Sequence, residues 1–318
     1  MVELAIDLGG TAVKLGVFES GQVLETSEFG ITGGFDLDHV VEAANALLSE
    51  RSPTGVAIAV PGIVDPDGRR LLAAHGKYAE LRDVDLGEWS RTTFGVEAAV
   101  ENDARAALLG ELAAGSAQGE RDAVLITLGT GIGTAAVIDG HVLRGAHGHA
   151  GVLSGHVTVD LDGPRCPCGN LGCAEALAST WALDRELRGD RGRSRRVAVG
   201  PELQRRVGTA APLGILDLIE TLYETESATI LDRYLRIWGA VIVPQCHAFD
   251  PSVVVVTGGV MRARDTVLPA LAEYVQEHLW SSSFRPRFVT PDEPELSVLR
   301  GLAALALDSA TTRDANDA

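Results

Sequence analysis

Basic residues are scarce in this chain, and lysine is scarcest. Of its 318 residues 27 are basic and 44 acidic, a net charge of −17, and Lys14 and Lys77 are the only lysines. Nonspecific nucleic-acid binding needs a basic surface to displace counterions, so this charge argues against that class of function. The one basic cluster, RGDRGRSRR (188–196), has no aromatic residue and reads as a solvated loop. Long apolar runs are also missing, which leaves no candidate membrane span. MVELAIDLGG puts Glu3 and Asp7 where a secretory signal needs positive charge and then an apolar stretch, so a cytoplasmic protein is expected. Four cysteines in a chain this long do not make a disulfide framework. The tail DSATTRDANDA reads as frayed.

A weak internal repeat is present. LAIDLGGTAVKLGVFESGQVL (4–24) resembles VLITLGTGIGTAAVIDGHVL (124–143). Ile6, Leu8 and Gly9 match Ile126, Leu128 and Gly129; after a one-residue slip, Gly21, Val23 and Leu24 match Gly140, Val142 and Leu143. Each copy reads as strand, Gly/Thr turn, strand, then a further strand. Around them runs a β/α rhythm. LDHVVEAANALLSER has helical spacing, VAIAVPGIVD is a buried strand ending at Pro61-Gly62, and AAVENDA is a strand leading into the helix ARAALLGELAAG, stopped by Gly115. Two helical stretches fill 215–242, PSVVVVTGGV is a strand feeding a glycine turn, and LRGLAALALDSA is a closing helix. Alternating strands and helices predict an α/β fold with two domains. The expected division is an N-terminal domain 1–117, with a helix at 299–311 packing back on it, and a larger domain 118–298.

Three strands end in glycine-rich turns: DLGGT (Asp7, Gly9, Gly10, Thr11), LGTGIGT (Gly129, Thr130, Gly131, Gly133) and VTGGV (Gly258, Gly259). Glycine lets backbone N–H groups converge on an anion without a Cβ in the way. Thr11 and Thr130 add hydroxyls, Lys14 a point charge, and Asp7 a carboxylate for Mg²⁺ held through water. Any one turn alone is an ordinary hairpin; three together predict a nucleotide gripped by backbone. None fits a P-loop or a G-x-G-x-x-G before a helix.

VENDARAALLGE sets Glu101, Asn102 and Asp103 at a strand-to-helix junction, where α/β proteins bind ligands. Phosphoryl transfer needs alignment, charge neutralisation and a base for the attacking hydroxyl. Asp103 suits the base and Asn102 suits a neighbouring hydroxyl; alternatively, Asp103 merely caps the helix. Gly62 is a further substrate-side candidate.

CPCGNLGCAE (166–175) crowds Cys166, Cys168 and Cys173 together. With a histidine these make a closed tetrahedral zinc site, structural rather than catalytic because no position stays open. His156 is the best fourth ligand, with His147 and His149 as rivals, and the segment VTVDL after His156 reads as a strand. The other reading is unligated or redox cysteines. A closed metal would also fix Glu175 and orient His156, whose second ring nitrogen would then be free to meet a ligand.

Taken in order, DLGGTAVK, VENDARAALLGE, LGTGIGT, a glycine-histidine segment, CPCGNLGCAE and VTGGV resemble the ROK family (repressor, open reading frame, kinase) over nearly the whole chain. The resemblance implies an actin-like (ribonuclease-H-like) ATPase fold, two domains around a cleft, often a homodimer, and ATP-dependent phosphorylation of a hexose, usually at the 6-hydroxyl. By position, Asp103 resembles the general base, Asn102, His156 and Glu175 the sugar ligands, and His156, Cys166, Cys168 and Cys173 the zinc set. One departure stands out. Family kinases usually read A-G-E-x-G-H with a sugar-binding Glu, whereas this chain reads AGVLSGH, with Val152 in that place and one extra residue. Likewise, His75-Gly76 lies near where relatives often offer Asn. Glucose is therefore one candidate among several: mannose, an amino sugar such as kanosamine, N-acetylglucosamine or N-acetylmannosamine, and allose are the alternatives. A noncatalytic sugar sensor is the rival from another class. Family repressors carry an N-terminal winged helix, for which a first strand starting by residue 4 leaves no room.

Overall fold

The computed structural model describes residues 1–10, 12–31, 35–65, 67–74, 78–188, 199–207 and 213–316. Thr11, His75-Gly76 and most of the basic cluster lie outside them. Contacts group the chain into two compact units. The first comprises Met1–Glu120, His141–Ala150 and Pro291–Ala318; the second comprises Arg121–Gly140 and Gly151–Thr290. The segment 141–150, which a boundary near 118 would assign to the second domain, is thus grouped with the first.

The first unit is built on β1 (Val2–Leu8), β2 (Ala12–Glu19), β3 (Gln22–Gly30), β4 (Gly55–Val60), the small hairpin β5 (Ile63–Val64) and β6 (Leu71–Ala73), and β7 (Ala98–Asn102). Its main sheet runs β3-β2-β1-β4-β7. The first three strands form an antiparallel meander, and β4 and β7 add in parallel. Its helices are α1 (Leu37–Leu48), α2 (Leu86–Phe94) and α3 (Asp103–Ala114); β10 (His141–Val142) and the terminal α10 (Ser297–Asn316) also belong to it. The helical span through 316 replaces the frayed tail expected from residue 308.

Strand alternation decides which helices cover which face. Leu4, Ile6, Leu8, Val56, Ile58 and Val60 point into one core with residues of α1 and α2. Ala5, Ala57 and Ala59 point the other way, against Ala106 and the α10 residues Leu299, Leu302, Ala303 and Ala306. Small residues on that face let α3 and α10 lie close. The two helices also meet backbone to backbone: a Cβ on Gly110 would fall 1.9 Å from Ser297 O, and one on Gly301 1.8 Å from Ala106 O.

The second unit contains β8 (Ala123–Leu128), β9 (Ile132–Ile138), α4 (Ala174–Ala178), α5 (Thr180–Arg188), α6 (Pro201–Val207), α7 (Ile215–Glu220), α8 (Thr225–Phe249), β11 (Val253–Thr257), α9 (Arg264–His278) and β12 (Arg287–Val289). Here too an antiparallel partner lies on one side of the leading strand and parallel strands on the other, in the order β9-β8-β11-β12. The β2-β1-β4-β7 arrangement of the first unit therefore recurs, in register with the sequence repeat. VTVDL is not a strand. Thr158 makes a single bridge to Cys173, and Val159 N donates to Gly172 O at 2.9 Å, because this segment spends its hydrogen bonds on the cysteine loop. No helix among the described residues is long and apolar enough to cross a membrane.

Replacing Gly301 by Val should force α3 and α10 apart and lower stability by about 2 kcal/mol or more. Chemical denaturation would register this, whereas the exposed Gly21→Asn, at a turn with φ of 80° and free space around it, should change little.

Candidate functional site

Asn102 closes β7 and is the N-cap of α3. Its Oδ1 accepts from Ala104 N (3.0 Å) and Arg105 N (3.2 Å). Its Nδ2 donates to Gly62 O and to Asp103 Oδ1, both at 2.9 Å. The capping role thus falls on Asn102, and Asp103 stands in the first turn. Asp103 Oδ1 also accepts from Ala104 N at 2.9 Å, while Oδ2 has no hydrogen bond among the described residues. Burial raises the Asp103 carboxyl above its ordinary value, opposed by the hydrogen bonds from Ala104 and Asn102. Every N–H of the Asn102 amide is engaged within the protein, so Asn102 holds a partner hydroxyl only by exchanging one of these bonds. Gly62, at φ 125°, lies where a Cβ would strike Ala73 O at 2.1 Å, and this close approach brings its carbonyl to Asn102.

Asp7 is the penultimate residue of β1, with Lys14 opposite it in the antiparallel register. It is 7% exposed. Burial first, then the charge of Asp103, lift its carboxyl to about 7, with Lys14 opposing them. Asp7 and Asp103 therefore sense each other within the first unit. The turn after β1 is tight, since a Cβ on Gly9 would meet Ala12 O at 2.7 Å. Tyr78 donates its hydroxyl to Gly9 O at 2.7 Å, a brace no sequence motif announced. Gly10 is open to solvent.

A second unannounced feature lies behind Asp103. Glu101 and Arg105, 2% and 1% exposed, form a buried pair, and Glu101 also accepts from Arg144 Nε at 3.0 Å. Arg105 donates to the carbonyls of Leu143, Gly148 and Ala150, at 3.1, 2.9 and 2.8 Å. The i,i+4 spacing of Glu101 and Arg105 was the available signal.

In the second unit the turns after β8 and β11 come together. A Cβ on Gly129 would lie 3.8 Å from Gly259 N, and one on Gly258 would meet Leu128 O at 2.4 Å. β8 and β11 are parallel neighbours, so both turns sit at carboxyl ends of strands, the usual ligand edge of an α/β sheet. Thr130 is exposed between them, and Gly133 is half-buried in β9.

The cysteine loop converges as the spacing suggested. His156, Cys166, Cys168 and Cys173 bring their ligand atoms within 4.8 Å of one another; His147 and His149 are not in the group. Cys166 Sγ is 3.6 Å from His156 Nδ1, and Cys168 Sγ is 3.6 Å from Cys173 Sγ. A tetrahedral zinc with Zn–S near 2.3 Å and Zn–N near 2.0 Å requires S–N edges of about 3.5 Å and S–S edges of about 3.8 Å. The donor set fits. Burial pushes the Cys166 thiol up to about 12 and also raises Cys173, so thiolates here need a compensating cation. The fourth cysteine, Cys246, is buried in α8 with its thiol also lifted to about 12, an inert core residue. Glu175, in α4, accepts from Ile132 N at 2.9 Å through Oε2. Val152 is half-buried, next to Gly151, whose carbonyl accepts from Thr134 Oγ1 at 2.6 Å.

Both units thus show the duplicated meander of the actin-like ATPase (ribonuclease-H-like) fold, with glycine turns at the ends of their leading strands. The ROK family model matches residues 3–309, and the chain belongs to that family. It is 30% identical over 288 residues to a glucokinase of Thermotoga maritima, covering 88% of each chain. An N-acetylgalactosamine kinase of Shewanella sp. strain ANA-3 is 29% identical, with 94% of this chain and 95% of the relative covered. A xylose repressor of Bacillus subtilis is 27% identical over 229 residues, and there the match spans only 54% of the relative. Among solved structures, a ROK family glucokinase from Streptomyces griseus in complex with glucose and AMPPNP superposes with TM-score 0.78 at 28% identity, covering 97% of this chain and all of that one.

The raised carboxyl of Asp7 has a consequence for stability. The unfolded chain releases this proton near 3.8, the folded chain near 7, so stability falls as pH rises between those values and stays reduced above them. Asp7→Asn should therefore stabilise the nucleotide- and metal-free protein at pH 8, by at most on the order of 4 kcal/mol, and give no gain at pH 4. Denaturation curves at the two pH values check it; equal effects at both would contradict the burial argument.

Proposed function

We propose that the protein is an ATP-dependent sugar kinase that transfers the γ-phosphoryl group to a hexose hydroxyl, the 6-hydroxyl of glucose or a related hexose. The observation that carries this reading is Asp103, a half-buried carboxylate beside the helix cap, with one oxygen engaged and the other without a hydrogen bond among the described residues. The kinase relatives, the glucose and AMPPNP bound to the Streptomyces griseus enzyme, and the three glycine turns support it.

In this mechanism the hydroxyl oxygen attacks the γ-phosphorus, the bond to the β–γ bridging oxygen breaks, and ADP departs. Asp103 Oδ2 takes the hydroxyl proton as that bond forms. Burial, by raising the carboxyl, makes it the stronger base once ionised. Asn102 holds Asp103 in place and meets a sugar hydroxyl by exchanging its amide bond to Gly62 O, while Gly62, His156 and Glu175 supply the remaining sugar contacts. The turns Gly9-Gly10, Gly129-Thr130-Gly131 with Gly133, and Gly258-Gly259 would present N–H groups to the nucleotide phosphates, and Lys14 would add its charge. Asp7 would hold Mg²⁺, which supplies charge neutralisation at the phosphates. His156, Cys166, Cys168 and Cys173 would hold Zn²⁺, which supplies rigidity to the loop.

Val152 bears on the choice of sugar. A carboxylate acceptor is replaced by an apolar side chain, and a site that loses a hydrogen-bond partner for a hydroxyl loses discrimination by large factors. This favours a kinase for an amino or N-acetylated hexose, or allose, as the second reading, in keeping with the N-acetylgalactosamine kinase among the relatives. A noncatalytic sugar sensor of the repressor type would bind sugar without consuming ATP. A panel of hexoses, amino sugars and N-acetylhexosamines in a coupled ADP assay decides between them: turnover on none, with sugar binding intact, would sink the kinase reading.

Asp103→Asn should keep sugar and nucleotide binding within a few-fold and lower kcat by at least about a hundredfold, since only the base is removed. Near-normal kcat would rule out the role. Metal analysis should find about one zinc per chain, lost in Cys168→Ser together with most sugar affinity. A metal-free wild type with full sugar affinity would remove zinc from the account.

A further inference from the structure

We infer that Glu175 is a positioning residue for the phosphoryl donor: its carboxylate ties the His156–Cys166–Cys168–Cys173 cluster to the glycine turn Gly129–Ile132, so that the state of the cluster sets how tightly the nucleotide is held. The inference rests on the reading of that turn as a donor site and adds a function that its resemblance to a sugar ligand does not supply.

The geometry is specific. Glu175 follows Cys173 by two residues, in the first turn of α4, and its Oε2 accepts the N–H of Ile132 at 2.9 Å. The carboxylate lies flat against Gly131: a Cβ there would fall 2.6 Å from Oε2 and 3.2 Å from Cδ. Any other residue at 131 would push the carboxylate off the turn. The other limb of the turn is held by the same region, since Thr180 N donates to Gly129 O at 2.9 Å. Within the turn, Gly129 N donates to Gly131 O at 3.1 Å. A third contact comes from the segment carrying His156, where a Cβ on Gly155 would meet Ile132 O at 2.1 Å. The turn therefore has little freedom of its own and takes its shape from residues 155–180.

What fixes Glu175 in turn is the cluster and α8. Cys166, Cys173 and Ala176 form a small buried group with Cys168 and Trp181 packed on it. Ala174 N donates to Val157 O at 3.1 Å, next to His156. From the far side, Trp238 Nε1 donates to Ala178 O at 2.9 Å. Among these anchors the thiols and His156 alone can be loosened without replacing a residue, by taking away the cation that fits them. Removing it should free α4, and with it the carboxylate on the turn.

The test is the Kd of AMPPNP with Mg²⁺ in the absence of sugar, paired with hydrogen exchange at the amide of Ile132. Glu175→Ala should weaken the sugar-free Kd by roughly tenfold or more, lose protection at Ile132, and keep its zinc. Glu175→Gln, whose amide oxygen can accept the same N–H, should stay near wild type in both readouts. If Glu175→Ala left the sugar-free Kd and the Ile132 protection unchanged while sugar affinity fell, Glu175 would be a sugar ligand only and the inference would be wrong. Should Glu175→Ala unfold, chelation of the wild type decides: loss of Ile132 protection with native circular dichroism supports the coupling, and retained protection overturns it. A wild type that binds no adenine nucleotide would refute both the donor role and the kinase reading, whereas a wild type that binds nucleotide but behaves identically in the variants would refute the inference alone.

Discussion

The cap on α3 is the constraint from which the first unit's chemistry follows. A helix start leaves backbone N–H groups without partners, and in a half-buried junction they must be answered. Asn102 answers two of them with one oxygen, and its amide ties Gly62 and Asp103 to the same point. Were Asp103 itself the cap, its carboxylate would be spent on the helix and its proton affinity would fall. Because the amide does that work, the neighbouring acid keeps an oxygen free while its direction is fixed. Behind the cap, Glu101 and Arg105 form an ion pair whose further hydrogen bonds run to three carbonyls, to Arg144 and to the backbone N–H of Asn102. Such a buried pair is not strong evidence of stability, but breaking it would leave an uncompensated charge. Its visible effect is to hold residues 143–150 against the start of α3.

The second unit solves a different problem. Residues 156–173 are rich in glycine and poor in large apolar side chains, and Leu161 and Leu171 point outward at 87% and 50% exposure. Such a loop has no conventional core. Three sulfur atoms and an imidazole gathered within 4.8 Å take its place. Buried thiols with raised proton affinity are poor structural glue by themselves, while a dication would convert them to thiolates and bind them at once. The loop can then carry α4 rigidly, and α4 carries Glu175 to the turn.

Much of this was legible in the sequence. The repeat between residues 4–24 and 124–143 became two sheets of matching strand order, because identical apolar spacing around a glycine turn makes the same hairpin twice. The cysteine set was readable because metal ligands must be close in space and few residue types serve. What the sequence did not reveal has physical reasons. VTVDL has strand composition, yet its backbone is engaged by the cysteine loop, through Val159 N to Gly172 O and a single bridge from Thr158 to Cys173, and that pairing prevails over propensity. α9 hides behind Pro269, which breaks the usual helical signal six residues into the helix. Tyr78 as a brace on Gly9, and Glu175 as a brace on Ile132, join positions 69 and 43 residues apart, beyond the reach of any local pattern. The roles of Asn102 and Asp103 were the most ambiguous, since adjacent residues at a helix start compete for one cap and only geometry distinguishes the winner.

The electrostatics of the first unit connect these points. Two carboxylates, Asp7 and Asp103, are held where burial raises both, and the charge of one raises the other. A fold selected for stability alone would not keep such a pair, and Lys14 opposes the effect without cancelling it. The tension is relieved by whatever brings positive charge to Asp7. With a cation there, Asp7 ionises at lower pH. The cation's field would lower the proton affinity of Asp103 too, favouring its ionised form against the opposing effect of burial. The cost to the empty protein and the readiness of the loaded one are the same physical fact. An unfavourable buried charge in the absence of ligand is what makes the site respond to a cation, and it is why a stability measurement on the ligand-free chain reports on a residue expected to act only when ligand is bound.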